Sequence, residues 1–238
     1  LLLILSSRHF FGKKPMAHAA HLEVLTKAPE KWNEFRSELN IGVPDFSNTN
    51  LSNLDLTECD LSSAIFSRTT FDKVKLKRTN FQNAIFDYGI IQFSEFDQVN
   101  FREAKFQFAR LSQNRSKGPS NFSGTTFINS RFFNCDFSFS CFFRSIIEGC
   151  SLEFVNLSVC DCRYSSFTGS SIRNSSLVLT NCLASDFEIR EIEKTDLSRI
   201  NLTGASTLLN LDLESHGFVG STIKRKIEEP NQLVLPLA

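Results

Sequence analysis

A large apolar residue recurs at every fifth position from residue 46 onward, and this period restricts the possible folds more than any other feature of the chain. The central positions of the first block are Phe46, Leu51, Leu56, Leu61, Phe66, Phe71, Leu76, Phe81, Phe86, Ile91, Phe96, Phe101, Phe106 and Leu111. The residue two positions earlier is no larger than valine, except at Leu54. Selective use of one aromatic fits such a repeated site, since the chain has 25 Phe but only 2 Tyr and 1 Trp.

A second block carries the same period after an interruption. Its central positions are Phe122, Phe127, Phe132, Phe137, Phe142, Ile147, Leu152, Leu157, Cys162, Phe167, Ile172, Leu177, Cys182, Phe187, Ile192, Leu197 and Leu202. Arg190 is the clear departure, because it occupies a position that is small elsewhere. We expect either a local bulge there or an arginine that turns outward to pair with Glu188 and Glu191.

A period of five matches neither an α-helix nor a continuous β-strand. The small and large residues of one unit are two positions apart, so both lie on one face of a short extended segment. The remaining residues must turn the chain before the next unit begins. Such a unit can pair its backbone groups only with the coils above and below it, as a parallel ladder, and its stability comes from stacking.

Several units resemble the consensus of the pentapeptide-repeat family: Cys59–Ser63, Thr79–Asn83, Val99–Glu103, Val155–Val159 and Thr195–Arg199. The resemblance covers about residues 44–206. It implies an all-β solenoid, namely a right-handed quadrilateral (four-sided) parallel β-helix with four pentapeptides in each coil. Filled coils of this kind leave no pocket of the size that enzymes use.

The repeats divide the chain into parts. Block 1 spans 44–111, block 2 spans 120–206, and the step from Leu111 to Phe122 equals two units plus one residue. We expect residues 112–119 to form a loop, because Gly118-Pro119 is a turn signal.

The two ends of the array need caps, since an open coil leaves unpaired strand edges. Residues 16–43 predict a short N-terminal helical cap broken at Pro29, with Trp32 and Phe35 over the first coil. Residues 207–238 are expected to form a C-terminal cap and tail. Residues 1–15 are interpreted as a non-structural leader or translated upstream sequence, because Met16 is the only Met; a fragment of a longer chain is the alternative.

The seven cysteines are interpreted as reduced thiols of a cytoplasmic protein, because no convincing secretory signal precedes the array. Four of them occupy the small inward position, two the central position, and only Cys141 neither. We therefore expect buried thiols rather than a metal site. No apolar run is long enough for a membrane span, and no membrane association is expected.

Catalysis is not expected. None of the four histidines lies in the array, so its many serines have no base to activate them. We predict neither cofactor nor small-molecule substrate.

Three polar features are candidates for binding. The first is the loop with Asn114, Arg115 and Lys117, since loops on rigid scaffolds often carry function; a neutral insertion is the alternative. The others are two charged corners, for which a merely solvated surface is the alternative. The corner residues are Lys73, Lys75, Lys77 and Arg78 on one, and Glu188 and Glu191 on the other.

These features predict a non-enzymatic module that binds an unidentified protein partner, as a monomer or an end-to-end homodimer. The family resemblance adds an alternative, inhibition or protection of a type II topoisomerase by mimicry of DNA. Mimicry requires a strongly negative rod, whereas residues 44–206 contain 18 acidic and 17 basic residues. Direct nucleic-acid binding is not expected, because no aromatic residue is interleaved with Lys73–Arg78 for stacking.

Overall fold

Two short helices precede the repeats. The computed structural model describes residues 16–39 and 41–206, so the predicted leader at 1–15 and the predicted C-terminal cap and tail at 207–238 lie outside the described residues. Helix α1 spans Met16–Lys27. A 3-10 turn at Pro29–Lys31 separates it from helix α2, Trp32–Glu38. Proline suits the first position of such a turn, because its missing N–H needs no partner there. The predicted break at Pro29 is thus confirmed.

The helices cap the first coil through side chains that bond to its backbone. Trp32 is fully buried, and its Nε1 donates to the carbonyl of Asp60 at 2.7 Å. Arg36 donates to the carbonyls of Asp60 and Ser62 at 2.6 and 2.8 Å. Asn33 accepts from the Asp60 N–H at 2.7 Å. These backbone groups of the first coil have no preceding coil to pair with, and the helices provide their hydrogen bonds instead. The cap thereby prevents strands of other molecules from pairing with this end of the rod.

Short parallel strands carry the array. They are β1 Thr70–Asp72, β2 Lys75–Lys77, β3 Ile90–Gln92, β4 Glu95–Asp97, β5 Lys105–Gln107, β6 Arg110–Ser112, β7 Arg115–Gly118, β8 Thr126–Ile128, β9 Arg131–Phe133, β10 Ile146–Glu148, β11 Ser151–Glu153, β12 Ser171–Arg173 and β13 Glu191–Glu193. Other units pair through single parallel bridges. The strands form one seven-stranded sheet and two three-stranded sheets.

The bridges define four faces, each repeating at twenty residues with one step of twenty-one. The first face runs through Asp45, Ile65, Ile85, Lys105, Thr126, Ile146, Ser166, Asp186 and Ser206. The second face begins at Asn50 and contains the seven-stranded sheet. The third begins at Asp55 and contains β2, β4 and β7. The fourth begins at Asp60 and is joined by single bridges in the described chain. The predicted four-sided parallel solenoid is confirmed.

The units turn at the residue two positions after the central one, which we call the turn position, except at Gly118 and Ile189. Among the described residues, all 26 non-glycine residues with positive φ lie there, with φ between 46° and 63°. Gly124, Gly149, Gly169 and Gly204 occupy the same position. This left-handed backbone lets the chain leave one face and begin the next within five residues.

The interior is filled by stacked central residues. On the first face, the ring centroids of Phe46, Phe66, Phe86, Phe106 and Phe127 follow one another at 5.3, 5.1, 4.6 and 4.6 Å. Small side chains fill the space beside them, and Ala64, Ala84 and Thr79 are fully buried. Central and small positions therefore form a close-packed core, as the period predicts.

The prediction that residues 112–119 form a loop is wrong. Arg115–Gly118 is strand β7, which pairs with β4 on the third face. Phe96 lies opposite Ser116 but Asp97 lies opposite Gly118, so Lys117 is the extra residue of a β-bulge. One added residue is thus absorbed within a strand, and each later unit keeps its face.

Candidate interaction surfaces

A groove of about 780 Å³ lies beside this bulge, at the edge between the second and third faces. The expectation that filled coils leave no pocket of the size that enzymes use is therefore wrong at this edge. We call it the bulge groove. The exposed rings of Phe93 and Phe154 line it, with Gln113 and Asn134 on the two coils between them. All four occupy the turn position. Two shorter side chains between two aromatic ones leave a recess open to solvent.

The residues predicted to form an interaction loop have different roles in this groove. Asn114 is fully buried, donates to the carbonyl of Ile91 at 2.8 Å and accepts from the N–H of Ser94 at 3.0 Å. It therefore stabilises the ladder. Arg115 and Lys117 are exposed, and Lys117 Nζ lies 2.7 Å from Glu95. Arg115 has no carboxylate within 4.0 Å in the described chain and can bind an outside group.

The basic corner is largely neutralised by acidic residues one coil away. Lys75 lies 3.6 Å from Asp55, Lys77 lies 4.0 Å from Asp97, and Arg78 pairs with Glu58. Lys73 is exposed at a turn position. These ion pairs link successive coils, as expected of a solvated, charge-balanced surface.

The acidic corner is paired in the same way. Both nitrogens of the Arg173 fork contact the Glu191 carboxylate, and this contact lowers the pKa of Glu191. Arg190 turns outward, as one of the two alternatives predicted, but its Nη2 donates to Ser171 Oγ at 2.9 Å. Glu188 is exposed, and its carbonyl accepts from the Gly169 N–H at 2.8 Å.

A segment with basic residues and no acidic ones was not among the sites predicted from the sequence. Residues 104–135 contain five basic residues and no acidic one, and in a coil this segment wraps around the rod. We call these residues the basic belt: Lys105, Arg110, Arg115, Lys117 and Arg131. Only Lys117 has an ion pair within 4.0 Å in the described part of the chain. The absence of acidic residues from a whole coil was the signal that could have revealed it.

A second missed feature is a set of apolar side chains at the surface. Phe139, Val159 and Leu179 follow one another at the edge between the third and fourth faces, and Phe139 is 65% exposed. Tyr164 lies at the next edge, with its ring 5.7 Å from that of Phe143 on the fourth face. We call these five residues the aromatic face. Four of the five occupy turn positions, and these positions, once the period is known, were the signal.

An ion pair lies in the middle of the aromatic face. Arg163 Nε and Nη2 donate to the two oxygens of Asp161, each at 2.8 Å. The Arg163 side-chain hydrogen bond lowers the pKa of Asp161, and the same contact raises the pKa of Arg163. The guanidinium also lies 5.6 Å from the centre of the Phe143 ring. The ion pair thus holds the Arg163 guanidinium beside the Phe143 ring.

The thiols lie in the core, in the positions that the period predicts. Cys59, Cys135, Cys150, Cys160, Cys162 and Cys182 are buried, and Cys141 is partly exposed. Burial raises the pKa of the Cys150 and Cys160 thiols to about 12. Within the described ranges, His, Cys, Asp and Glu form no group that could hold a metal ion. No helix there is long and apolar enough to cross a membrane.

Comparison with known proteins identifies the repeats. The family model for pentapeptide repeats matches residues 45–83 with eight copies. Parallel bridges continue beyond this match to residue 206, at a spacing of twenty residues with one step of twenty-one on each face. No curated protein matches the chain in sequence.

Several solved structures are similar to the chain. HetL from the cyanobacterium Nostoc, a pentapeptide repeat protein involved in heterocyst differentiation regulation, is 18% identical with a TM-score of 0.43; the match covers 73% of this chain and 91% of HetL. Trypsin-treated QnrB1, a plasmid-mediated fluoroquinolone resistance protein, is 16% identical with a TM-score of 0.35, over 76% and 90% of the two chains. Rfr23 from the cyanobacterium Cyanothece is 15% identical with a TM-score of 0.32, over 66% and 95%. Similarities at this level carry no argument about a partner.

Proposed function

This chain belongs to the pentapeptide-repeat family, and we propose that it is a non-enzymatic scaffold that binds a partner protein through the aromatic face. The repeats provide a rigid rod with flat sides. A rod of this kind needs only a surface that another protein can cover.

The residues at the turn position carry this proposal. Phe139, Val159, Tyr164 and Leu179 have φ between 58° and 63°. A left-handed backbone costs an ordinary L-residue about 1–2 kcal/mol, whereas Asn and Gly adopt it more readily. These four side chains are also exposed, so burial within the rod gives little compensation. Large apolar groups that the fold does not require are best explained by a protein that covers them.

The composition of the aromatic face also suits a protein interface. Interfaces are enriched in aromatic residues and arginine, and their centres are poor in unpaired charge. Here the charge of Arg163 is already matched by Asp161. A partner can therefore cover this pair without leaving an unpaired buried charge. Arg144, whose guanidinium lies 5.1 Å from the centre of the Phe143 ring, is the cation that a carboxylate of the partner would have to match.

No specific observation favours the alternative of a DNA mimic. A mimic needs a continuous negative surface, whereas acidic residues of this rod pair with cations on neighbouring coils, as in Asp55–Lys75 and Glu95–Lys117. The basic belt also interrupts any negative surface along the rod.

Asparagine substitutions test the proposal, because asparagine already occupies many turn positions of this rod. The test variant combines Phe139→Asn, Tyr164→Asn and Leu179→Asn. The matched control combines Tyr88→Asn and Phe108→Asn, which are exposed aromatic residues at turn positions on another edge. We expect affinity capture from lysate of cells that express the protein to yield a partner with the wild type and the control, but not with the test variant. Both variants should remain within about 1 kcal/mol of the wild type in urea, because asparagine favours the left-handed backbone while the lost ring contacts disfavour the change.

Capture of the same partner by all three proteins would contradict the role of the aromatic face. A topoisomerase subunit as the captured protein, retained by the test variant, would favour the DNA-mimic alternative instead.

A further inference from the structure

Two arginines of the basic belt stand side by side on the second face. Arg110 in β6 pairs in register with Arg131 in β9, and the Arg131 N–H donates to the carbonyl of Ala109 at 2.9 Å. Both side chains are exposed, and paired strands are about 4.8 Å apart. We call these two residues the arginine pair. The fold therefore places two guanidinium groups within reach of one small ligand.

This arrangement is unfavourable for the free protein. Like charges directly opposite each other on neighbouring strands repel. Elsewhere the rod avoids this cost by ion pairs between coils, as between Arg173 and Glu191. In the described chain, no carboxylate lies within 4.0 Å of either Arg110 or Arg131. An anionic ligand that binds to both side chains would explain why Arg110 and Arg131 lie on neighbouring strands without a carboxylate partner.

We propose that the arginine pair binds a phosphorylated side chain of a protein partner. A phosphate ester carries a charge of about −1.5 to −2 near neutral pH and has three acceptor oxygens. Two guanidinium forks match both its charge and its acceptors, and arginine–phosphate contacts are among the strong hydrogen bonds. This site lies on the face opposite the aromatic face, so it is separate from the proposed scaffold surface.

The bulge groove extends the same site across the edge of the rod. Gln113 and Asn134 of the groove follow Arg110 and Arg131 by three residues on the same coils. The groove therefore lies at the height of the arginine pair. Arg115 lines its third-face side, together with Lys117 and the carboxylates of Glu95 and Asp136. A peptide that crosses this edge can place its phosphate on the pair and an apolar side chain between Phe93 and Phe154.

The nearby aromatic rings favour a peptide over a nucleic acid. Single-stranded nucleic acids bind by stacking bases on free aromatic faces. Here the rings of Tyr88 and Phe108 stack on each other at 5.1 Å, and Arg68 covers Tyr88 at 5.6 Å. Phe133 and Phe154 pack edge to face at 5.8 Å. Several of these ring faces are already used within the protein.

A library of short fluorescent peptides with one fixed phosphoserine and otherwise random positions tests the proposal by fluorescence anisotropy with the full chain. The matched probe is the same library with serine. The test variant is Arg110→Gln with Arg131→Gln, and the control is Arg68→Gln with Arg199→Gln, two exposed arginines that also lack ion pairs in the described chain. We expect phosphorylation to strengthen binding at least about tenfold, and the test variant to lose this gain while the control keeps it.

Three results would overturn the proposal. One is equal binding of the two libraries, and another is an equal loss in both variants, which would indicate a general effect of charge. The third is tighter binding of a single-stranded oligonucleotide than of the phosphopeptides, lost in the test variant, which would assign the pair to nucleic acid. Circular dichroism of both variants shows whether a loss of binding is caused instead by unfolding of the variant.

Discussion

At the scale of the residue, position within the five-residue unit decides the role of a side chain. Phe137 and Phe139 belong to one unit, yet Phe137 is 1% exposed and Phe139 is 65% exposed. The Phe137 ring contacts those of Phe96, Phe122, Phe132 and Phe142 at 5.5 to 6.1 Å. The first ring is thus part of the core, and the second is available to a partner.

Replacing these two rings by alanine should therefore lower stability strongly at Phe137 and hardly at all at Phe139. Phe137→Ala should lower the free energy of unfolding by about 3–5 kcal/mol, because it leaves a cavity among four rings. Phe139→Ala should change it by no more than about 0.5 kcal/mol. Urea denaturation of the two variants measures both. Similar losses would mean that the assignment of central and turn positions is incorrect.

The sequence predicted the inward side chains well, because the period directly records which residues must be small or large. It predicted the outward ones poorly. Lys75 and Arg78 looked like a basic cluster, but their partners Asp55 and Glu58 lie twenty residues earlier and become neighbours only when the coil closes. Arg110 and Arg131 are neighbours for the same reason, at a step of twenty-one because of the bulge.

At the scale of the element, β7 shows how the rod adapts to an inserted residue. Ser116 occupies a central position that is large and apolar in the neighbouring coils. Phe96 and Phe137 lie two coils apart, about 9–10 Å by strand spacing, yet their ring centroids approach to 6.1 Å. The two rings thus fill the space that the serine leaves. The Gly118-Pro119 turn signal could not reveal this, because it depends on packing between coils.

Restoring a large residue at this position should consequently harm the protein. Ser116→Leu should lower the free energy of unfolding by about 1–3 kcal/mol, since the space is already occupied. In the background of Phe137→Ala, the same change should be neutral or stabilising, because leucine then enters the vacated space. A double-mutant cycle in urea measures this coupling. Stabilisation of the wild type by Ser116→Leu would show that the rings do not fill the gap.

At the scale of the whole molecule, a core that includes many thiols makes stability sensitive to alkaline pH. Burial raises the pKa of Cys150 and Cys160 to about 12 and that of Cys135 to about 11, from the ordinary 9.0. A thiol whose pKa is raised in the folded state contributes stability that is fully present below its unfolded pKa. This contribution is lost as pH rises through the window between the two values.

The free energy of unfolding should therefore fall as pH rises from about 9 toward 11, and fall less steeply when buried thiols are removed. Cys150→Ala with Cys160→Ala is a suitable variant, because alanine occupies the same small position at Ala64 and Ala84. Chemical denaturation at a series of pH values measures the two slopes. Parallel curves for variant and wild type would contradict the prediction.

The twenty-residue step of each face also fixes how the two proposed surfaces point relative to one another. The arginine pair lies on the second face and the aromatic face centres on the fourth, so a ligand on each would project in opposite directions. The units of Arg131 and Phe139 are adjacent in the chain, so inserting one pentapeptide between them would turn everything downstream by a quarter turn about the axis. Inserting four would restore the angle and only lengthen the rod. Units can therefore be gained singly to change the angle between partners, or in fours to change their separation.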